Sequence, residues 1–459
     1  MESASAWAQQ QFGGVALGDT RRTQRAVELA TAFAHTPEAS LPQACASWAA
    51  LKSAYRLLGQ AEVTRAALSA EHWQQTRQGA MQEGVTLLLS DLTEVDYTAH
   101  PAVTGLGRIG DGHGRGFHVQ TTLAYRPEHE QIVGVAYQQT FRRQESGLTR
   151  GQRRHRHQVE SAVWNEAVTT LGTPPPGARW VHVGDRAADI WSVFRDCLAH
   201  GTDFVIRVQQ QHRQVWLSES EPLAVAEIVA HLPVQGTQVV PVAQRGGRAA
   251  RQAQVQIRAG TVQVPPPRAE GSHAGSQTAA LTVGLIVVEE PDAPEEREPL
   301  NWLLWTSLPV ADLAAAQECI TWYRMRWLIE DYHQCLKTGC RLEQRQLRTA
   351  DELDRLLGIL GPVAAYLLQM RQVARQVPTA PALRYQPVLL VHVVARLAGT
   401  APAELTCAQF WQTVARRGGW LGRTGDGPPG WKTVWAGWQS IQTLVEGVLL
   451  ATQLSPNTG

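Results

Sequence analysis

Two apolar runs that each stop on an aspartate constrain this chain more than any other feature. VTLLLSD begins at Val85 and reaches Asp91; RWVHVGD reaches Asp185. Runs this short and this apolar read as buried strands, and helix-like stretches flank the second, HQVESAVWNEAVTTLG before it and ADIWSVF after it. The alternation predicts an α/β sheet, in which ligands gather outside the carboxyl ends of the strands. FHVQTTLAYRP and EQIVGVAYQQTFRR predict a strand pair between the two aspartates; DFVIRV and NWLLWTSLPV predict further strands. An aspartate after a strand is also a common turn former or helix cap, and Asp185 could cap a helix beginning near Ala187.

A third segment shifts that balance. In ITWYRMRWLIEDYHQCLKTG, Tyr323, Arg326, Glu330, His333 and Lys337 follow one another at helical spacings, which puts all five on one stripe. Trp322, Met325, Ile329, Tyr332 and Leu336 repeat the spacing one residue earlier and form an apolar stripe that anchors a rigid rod. A salt-bridged surface helix accounts for Arg326 and Glu330, but not for Tyr323 and Lys337 on the same line. Lysine is rare in this chain, with Lys52, Lys337 and Lys432 the only ones among 42 basic residues.

Asp91, Asp185 and Glu330 beside such companions suit phosphoryl transfer on DNA. Three carboxylates can hold two divalent cations about 3.5–4 Å apart. Mg²⁺ suits all-oxygen ligation, with Mn²⁺ able to substitute. Arg326 and Lys337 would bind flanking phosphates, and Tyr323 would donate a further hydrogen bond.

The remaining sequence sets the frame. A length of 459 residues suggests two to four domains. The chain reads as a helical region over 1–80, an α/β region over 81–375 with a β-rich insertion at about 209–299, and a helical tail over 376–459. Within the insertion, Pro265 to Gln277 reads as partly disordered. A formal net charge of +1 neither demands nor excludes a nucleic-acid partner. Six cysteines without a CxxC pair make neither a disulfide framework nor a zinc site. MESASAWAQQQFGG holds no secretory core, and the apolar stretch Leu356 to Leu368 is short for a membrane span and contains Gly361 and Pro362. The expectation is a soluble, cytoplasmic, nucleoid-associated protein with no membrane partner.

Near the N-terminus, Asp19 or Thr20 could cap a helix through RRTQRAVELATAFA. Its Arg21, Arg22 and Arg25 oppose the helix dipole unless a phosphate sits nearby. PQACASWAALKSAYRLLG supplies another helical pattern. A basic segment from Arg142 to His157 carries six arginines, with His155 and His157 too close together for a metal pair by themselves. Trp420, Trp431, Trp435 and Trp438 give the tail an aromatic payload for a dimer interface or a local core.

The sequence resembles the bacterial cut-and-paste DDE transposases of the insertion-sequence-4 group, above all the transposon-5-like members. Tyr323-x2-Arg326-x3-Glu330-x6-Lys337 fits the group's Y-(2)-R-(3)-E-(6)-K signature. Asp185 to Asp189 looks like its DREAD motif, with Ala187 where glutamate is usual, and Asp91-x-Thr93 matches the first-aspartate block. FGGVALGDTRRTQR and GWLGRTGDGPPGWKTVWAGWQ extend the likeness to both ends of the chain.

The resemblance implies a multidomain α/β protein: a ribonuclease-H-like catalytic core with a β-rich insertion, flanked by helical N- and C-terminal domains. It implies end binding by the first of these, with Arg21, Arg22 and Arg25 as candidates, and dimerisation by the last. It implies two Mg²⁺ ions per active site, held by Asp91, Asp185 and Glu330. It implies nicking, hairpin formation and resolution, and strand transfer. The partners would be double-stranded DNA (terminal inverted repeats and target) and a second copy in a synaptic homodimer. Trp302 matches a tryptophan that stacks a flipped base, and Arg207 a basic residue near the DNA, joining Tyr323, Arg326, His333 and Lys337. Gln334 stands where the group often has lysine.

Three other functions use parts of the same set. A catalytically silent end-binding or inhibitory relative would not need the intact acids. A different ribonuclease-H-like nuclease would not need the Tyr-Arg-Glu-Lys stripe or both flanks. A glycosidase with paired carboxylates leaves the basic companions of Glu330 without a purpose.

Overall fold

A computed structural model of the chain describes residues 4–143, 150–217, 221–242, 251–267, 279–293, 299–423, 426 and 429–454, excepting the side chains of 150–159, 373–375, 431, 432, 453 and 454. Four helices of two turns or more open the described residues: α1 (Ala4–Phe12), α2 (Thr20–His35), α3 (Trp48–Gly59) and α4 (Arg65–Ala80). Asp19, Ser47 and Thr64 cap the last three, each accepting from a backbone N–H two or three residues on. The pattern expected as one helix up to Gly59 is two, because the chain is extended at Cys45 between Leu41–Ala44 and α3.

Nine strands carry the centre: β1 (Gly84–Asp96), β2 (Gly114–Arg126), β3 (Gln131–Phe141), β4 (Ala178–Gly184), β5 (Asp203–Arg207), β6 (Val234–Val242), β7 (Arg251–Val264), β8 (Leu281–Glu289) and β9 (Asn301–Thr306). With the short strand Gly107–Ile109 beside β2, they form one ten-stranded sheet in the order β3–β2–β1–β4–β5–β9–β8–β7–β6. Among the described strands only β1–β4–β5 run parallel; every other neighbouring pair in this sheet is antiparallel. β1 to β5 make a ribonuclease-H-like α/β core. The insertion leaves after β5 and returns as β9, and its strands β6 to β8 prolong the same sheet. The segment expected to be disordered lies mostly outside the described residues.

α5 (Arg150–Leu171) and α6 (Trp191–Ala199) cover one face of the sheet. The opposite face receives α7 (Leu313–Met325), α8 (Trp327–Gln334) and the long α9 (Ala350–Gln376). α9 absorbs the apolar stretch read as too short for a membrane span. By length and composition its residues Ala350–Gln372 could cross a bilayer, but 83% of their most apolar window is buried inside the fold. Pro362 sits within this helix and has no N–H to give the Gly358 carbonyl; Ser69 from α4 donates to that carbonyl instead (3.0 Å). Trp7 of α1 stacks on Tyr366 of α9 at 4.5 Å, so the first helices share one continuous core with the sheet. The tail adds α10 (Val388–Ala398), α11 (Cys407–Arg417) and α12 (Trp431–Leu454).

Candidate active site

Strand register builds half of the site. The last parallel partners are Ser90 with Gly184 and Gly184 with Ile206. Asp91, Asp185 and Arg207 therefore follow side by side on three adjacent strands, on the face shared by buried Leu89, Val183 and Val205. β1 does not end at Asp91, as expected. It continues to Asp96 with Asp91 opposite Thr121 of β2, and what ends is its parallel neighbour. β4 stops because Asp185 turns the chain into a single 3₁₀ turn, its Oδ1 accepting from Ala187 N–H at 2.8 Å. The cap and a ligand role are compatible, since a carboxylate has two oxygens.

Asp189, the second aspartate of the DRAAD run, is buried and structural. It accepts from the N–H groups of Gln209 and Gln210 (2.8 and 2.9 Å) and pairs with Arg213 at 2.8 Å, fixing the loop after β5. Trp302 lies on the Arg207 side of β9, because Leu304 pairs with Arg207 and alternate residues share a face. Its ring meets Tyr323 edge-on at 5.4 Å. Arg207 Nη2 donates to the Asn301 carbonyl at 3.2 Å.

Helices supply the other half, and here the expected straight rod is bent twice. At Arg326, between α7 and α8, bonds tighten to a three-residue pattern: Arg326 N–H to the Tyr323 carbonyl and Ile329 N–H to the Arg326 carbonyl, both 3.1 Å. After Gln334 the chain widens into a π-turn, Cys335–Gly339, closed by Cys340 N–H on the Cys335 carbonyl (2.8 Å). Lys337 rides on that turn and pairs with Glu343 at 3.4 Å. The turn is gripped from outside: a Cβ on Gly339 would stand 2.6 Å from the indole of Trp435 on α12.

The helix half meets the strand half through basic groups. Arg326 Nη2 lies 2.5 Å from Glu330 Oε1, and Arg326 Nε is buried without a hydrogen-bond partner. His333, expected to meet DNA, is instead buried, with Nδ1 3.5 Å from Asp91 Oδ2, because α8 packs this side against β1. Burial pushes the Asp185 carboxyl above its ordinary range. Asp91 and Glu330 push it further, against the Ala187 N–H and Arg326. Burial lowers Arg326, but Tyr323, Glu330 and Asp91 more than offset it and leave the guanidinium above its ordinary value.

Three carboxylates that repel one another in a partly buried cleft are the donor set a divalent cation relieves, so the residues fit a hard metal in kind. As folded they are not yet gathered. Among the described residues no three His, Cys, Asp or Glu side chains stand close enough to hold an ion, and Glu330 is turned to Arg326.

Elsewhere the other candidate residues have local partners. Arg21 pairs with Asp19 (2.9 Å), Arg22 donates to the Leu17 carbonyl (3.0 Å) and Arg25 pairs with Glu28, so each end-binding candidate has an acceptor of its own. In the basic segment, Arg142 pairs with Asp351 and Arg143 with Glu160. Residues 144–149 and the side chains of 150–159, His155 and His157 included, lie outside the described residues. Trp435 and Trp438 are buried, and Trp411 stacks on Trp438 at 5.4 Å, so these indoles make a local core; the Trp431 side chain is not described.

Two surfaces escaped the sequence reading. On α3, Trp48 is 68% exposed with Lys52 over its ring at 5.4 Å, and Tyr55 and Arg56 continue the face. The signal was present: an acid-free helix with an aromatic four residues before a rare lysine. Trp327, 45% exposed, carries the Arg326 guanidinium over its ring at 5.3 Å.

Three family models match the chain. The Transposase DNA-binding model covers residues 4–63, the Transposase DDE domain model covers 181–368, and the Transposase Tn5 dimerisation domain model covers 402–459. The DDE match takes in Asp185, Trp302, Glu330 and Lys337 and begins beyond Asp91.

Proposed function

Since the chain belongs to the transposon-5-like DDE transposases, we propose that Asp91, Asp185 and Glu330 are its catalytic carboxylates and hold two Mg²⁺ ions. The observation that carries the reading is the register that sets Asp91 beside Asp185, with the Glu330 helix packed over the same edge. Bound ions would supply an activated water or 3′-hydroxyl and a counter-charge for the leaving oxygen.

The chain's own groups do the rest. Arg207, Arg326 and Lys337 are the cations that fix the phosphates on either side of the scissile bond. Trp302 is braced by Tyr323 and offers an indole on which an unstacked base can rest, which suits a hairpin step. The steps are end nicking, hairpin formation, hairpin resolution and strand transfer into target DNA. The exposed face of α3, through Trp48, Lys52, Tyr55 and Arg56, is the surface on which the terminal repeat lies, with Arg21 at its margin. Exposed Leu444, Val448, Leu449 and Leu450 on α12 pair two copies in the synaptic complex. Residues 1–80, 81–375 and 376–459 thus divide into end binding, catalysis and pairing.

The test is cleavage of DNA carrying the ends that flank this gene, with and without Mg²⁺. Metal-dependent nicks and hairpins at a defined end, lost in Asp185→Asn and Glu330→Ala, are expected. Tight, specific binding without cleavage under Mg²⁺ or Mn²⁺ would favour an end-binding protein instead.

A further inference from the structure

Each of the three carboxylates already has a partner inside the fold. Asp185 accepts from the Ala187 N–H, which leaves its other oxygen available. The His333 imidazole stands 3.5 Å from Asp91, beyond an ordinary hydrogen bond. The Arg326–Glu330 contact is of another kind. It is short and charge-assisted, and the Arg326 side chain is only 10% exposed.

That arginine is also under-used. Its Nε is a buried donor with no acceptor, a position that raises its free energy. A phosphate that accepts from two arms of the guanidinium would satisfy Nε and draw the fork away from Glu330. Glu330, 35% exposed, would then be free to turn towards Asp91 and Asp185.

We infer that Arg326 is a latch on Glu330 which a DNA phosphate releases, so that the free protein binds divalent metal weakly and completes its metal site on DNA. Arg326 acts here through Glu330 and is a positioning residue for the site. The inference rests on the reading of Asp91, Asp185 and Glu330 as the metal-binding set.

The experiment follows Mn²⁺ binding to the full chain by the electron paramagnetic resonance signal of free Mn²⁺, with and without a duplex taken from the DNA beside the gene. The duplex is expected to tighten Mn²⁺ binding by wild type about tenfold, the scale of one charge-assisted hydrogen bond. Arg326→Gln is expected to reach the tightened level without DNA. Arg326→Lys keeps the charge but lacks the planar fork and is expected to give a smaller gain in the same direction. No gain in either variant, with melting temperature retained, overturns the latch. Arg207→Gln removes a neighbouring cation without touching Glu330; an equal gain there would mean that net charge alone is at work, and overturns it too. Adding Asp185→Asn to Arg326→Gln should abolish the tight binding. If the binding survives, the metal is held elsewhere, and the parent reading falls together with the latch.

Discussion

Asp91 and Asp185 stand on neighbouring parallel strands, whereas Glu330 stands on a helix whose hydrogen bonding changes at Arg326 and again at Cys335. The strand half is positioned by backbone register. A slip would turn Leu89, Val183 and Val205 out of the core along with the acids, so its geometry is held by the whole sheet. The helix half is positioned by side chains from afar: Trp435 against Gly339, and Arg345, buried, donating to the carbonyls of Pro37, Ala39 and Cys340. The carboxylates on the sheet are therefore in place before any ligand arrives, while the one on the helix depends on the N- and C-terminal regions that grip its turn. This fits the proposed latch, in which the helix carboxylate joins the site only when DNA binds.

The largest test of that contrast is to remove one acid from each half. Asp185→Asn and Glu330→Gln are each expected to lower single-turnover end nicking by about a thousandfold, the scale of a lost metal-holding group. Nicking within tenfold of wild type in Glu330→Gln alone would restrict the site to the strands. Next comes the grip on the π-turn. Gly339→Ala should force the turn off Trp435 and slow nicking by about ten- to a hundredfold while end affinity holds. Trp435→Ala in the same chain should recover part of the loss; a simple sum of the two defects would deny the coupling.

Lys337→Gln should weaken DNA binding at every sequence and reduce the salt slope of binding by about one. An unchanged slope would leave Lys337 with Glu343. A smaller effect concerns the sheet alone. Burial, with the nearby His200 charge, pushes the His182 imidazole of β4 down to about 4. The unfolded chain takes up that proton near pH 6.5 and the folded chain does not, so stability holds above that value and declines as pH falls towards 4. His182→Leu should flatten that window in urea titrations at pH 7.5 and 5. Least of all, Ser69→Ala should cost about 1 kcal/mol in the same titration by stripping the donor from the Gly358 carbonyl that Pro362 leaves open.

Much of this was legible in the residues. The apolar runs announced β1 and β4, and the grammar of a strand followed by an acid placed Asp91 and Asp185 at one edge. The spacing from Tyr323 to Lys337 put Arg326 beside Glu330. What failed were inferences about facing and continuity. The line of five looked like one straight rod, yet it bends at Arg326 and again at Cys335, and His333 is buried with its imidazole towards Asp91. Beyond what the residues announced, Arg21, Arg22 and Arg25 each keep an acceptor within a few residues, and an exposed aromatic-basic face lies on α3.

By itself the sequence determined which segments become strands and helices and which chemical groups the site would own. Periodicity and side-chain chemistry are local properties, read within a few residues. Tertiary structure alone decided that β1 runs on past Asp91, that the helix breaks at Arg326, and that Gly339 lets a π-turn form under Trp435. Those outcomes depend on neighbours far along the chain, whose approach no local pattern records. The partner that each carboxylate keeps in the free protein is set by packing, and packing is settled only when the chain is folded.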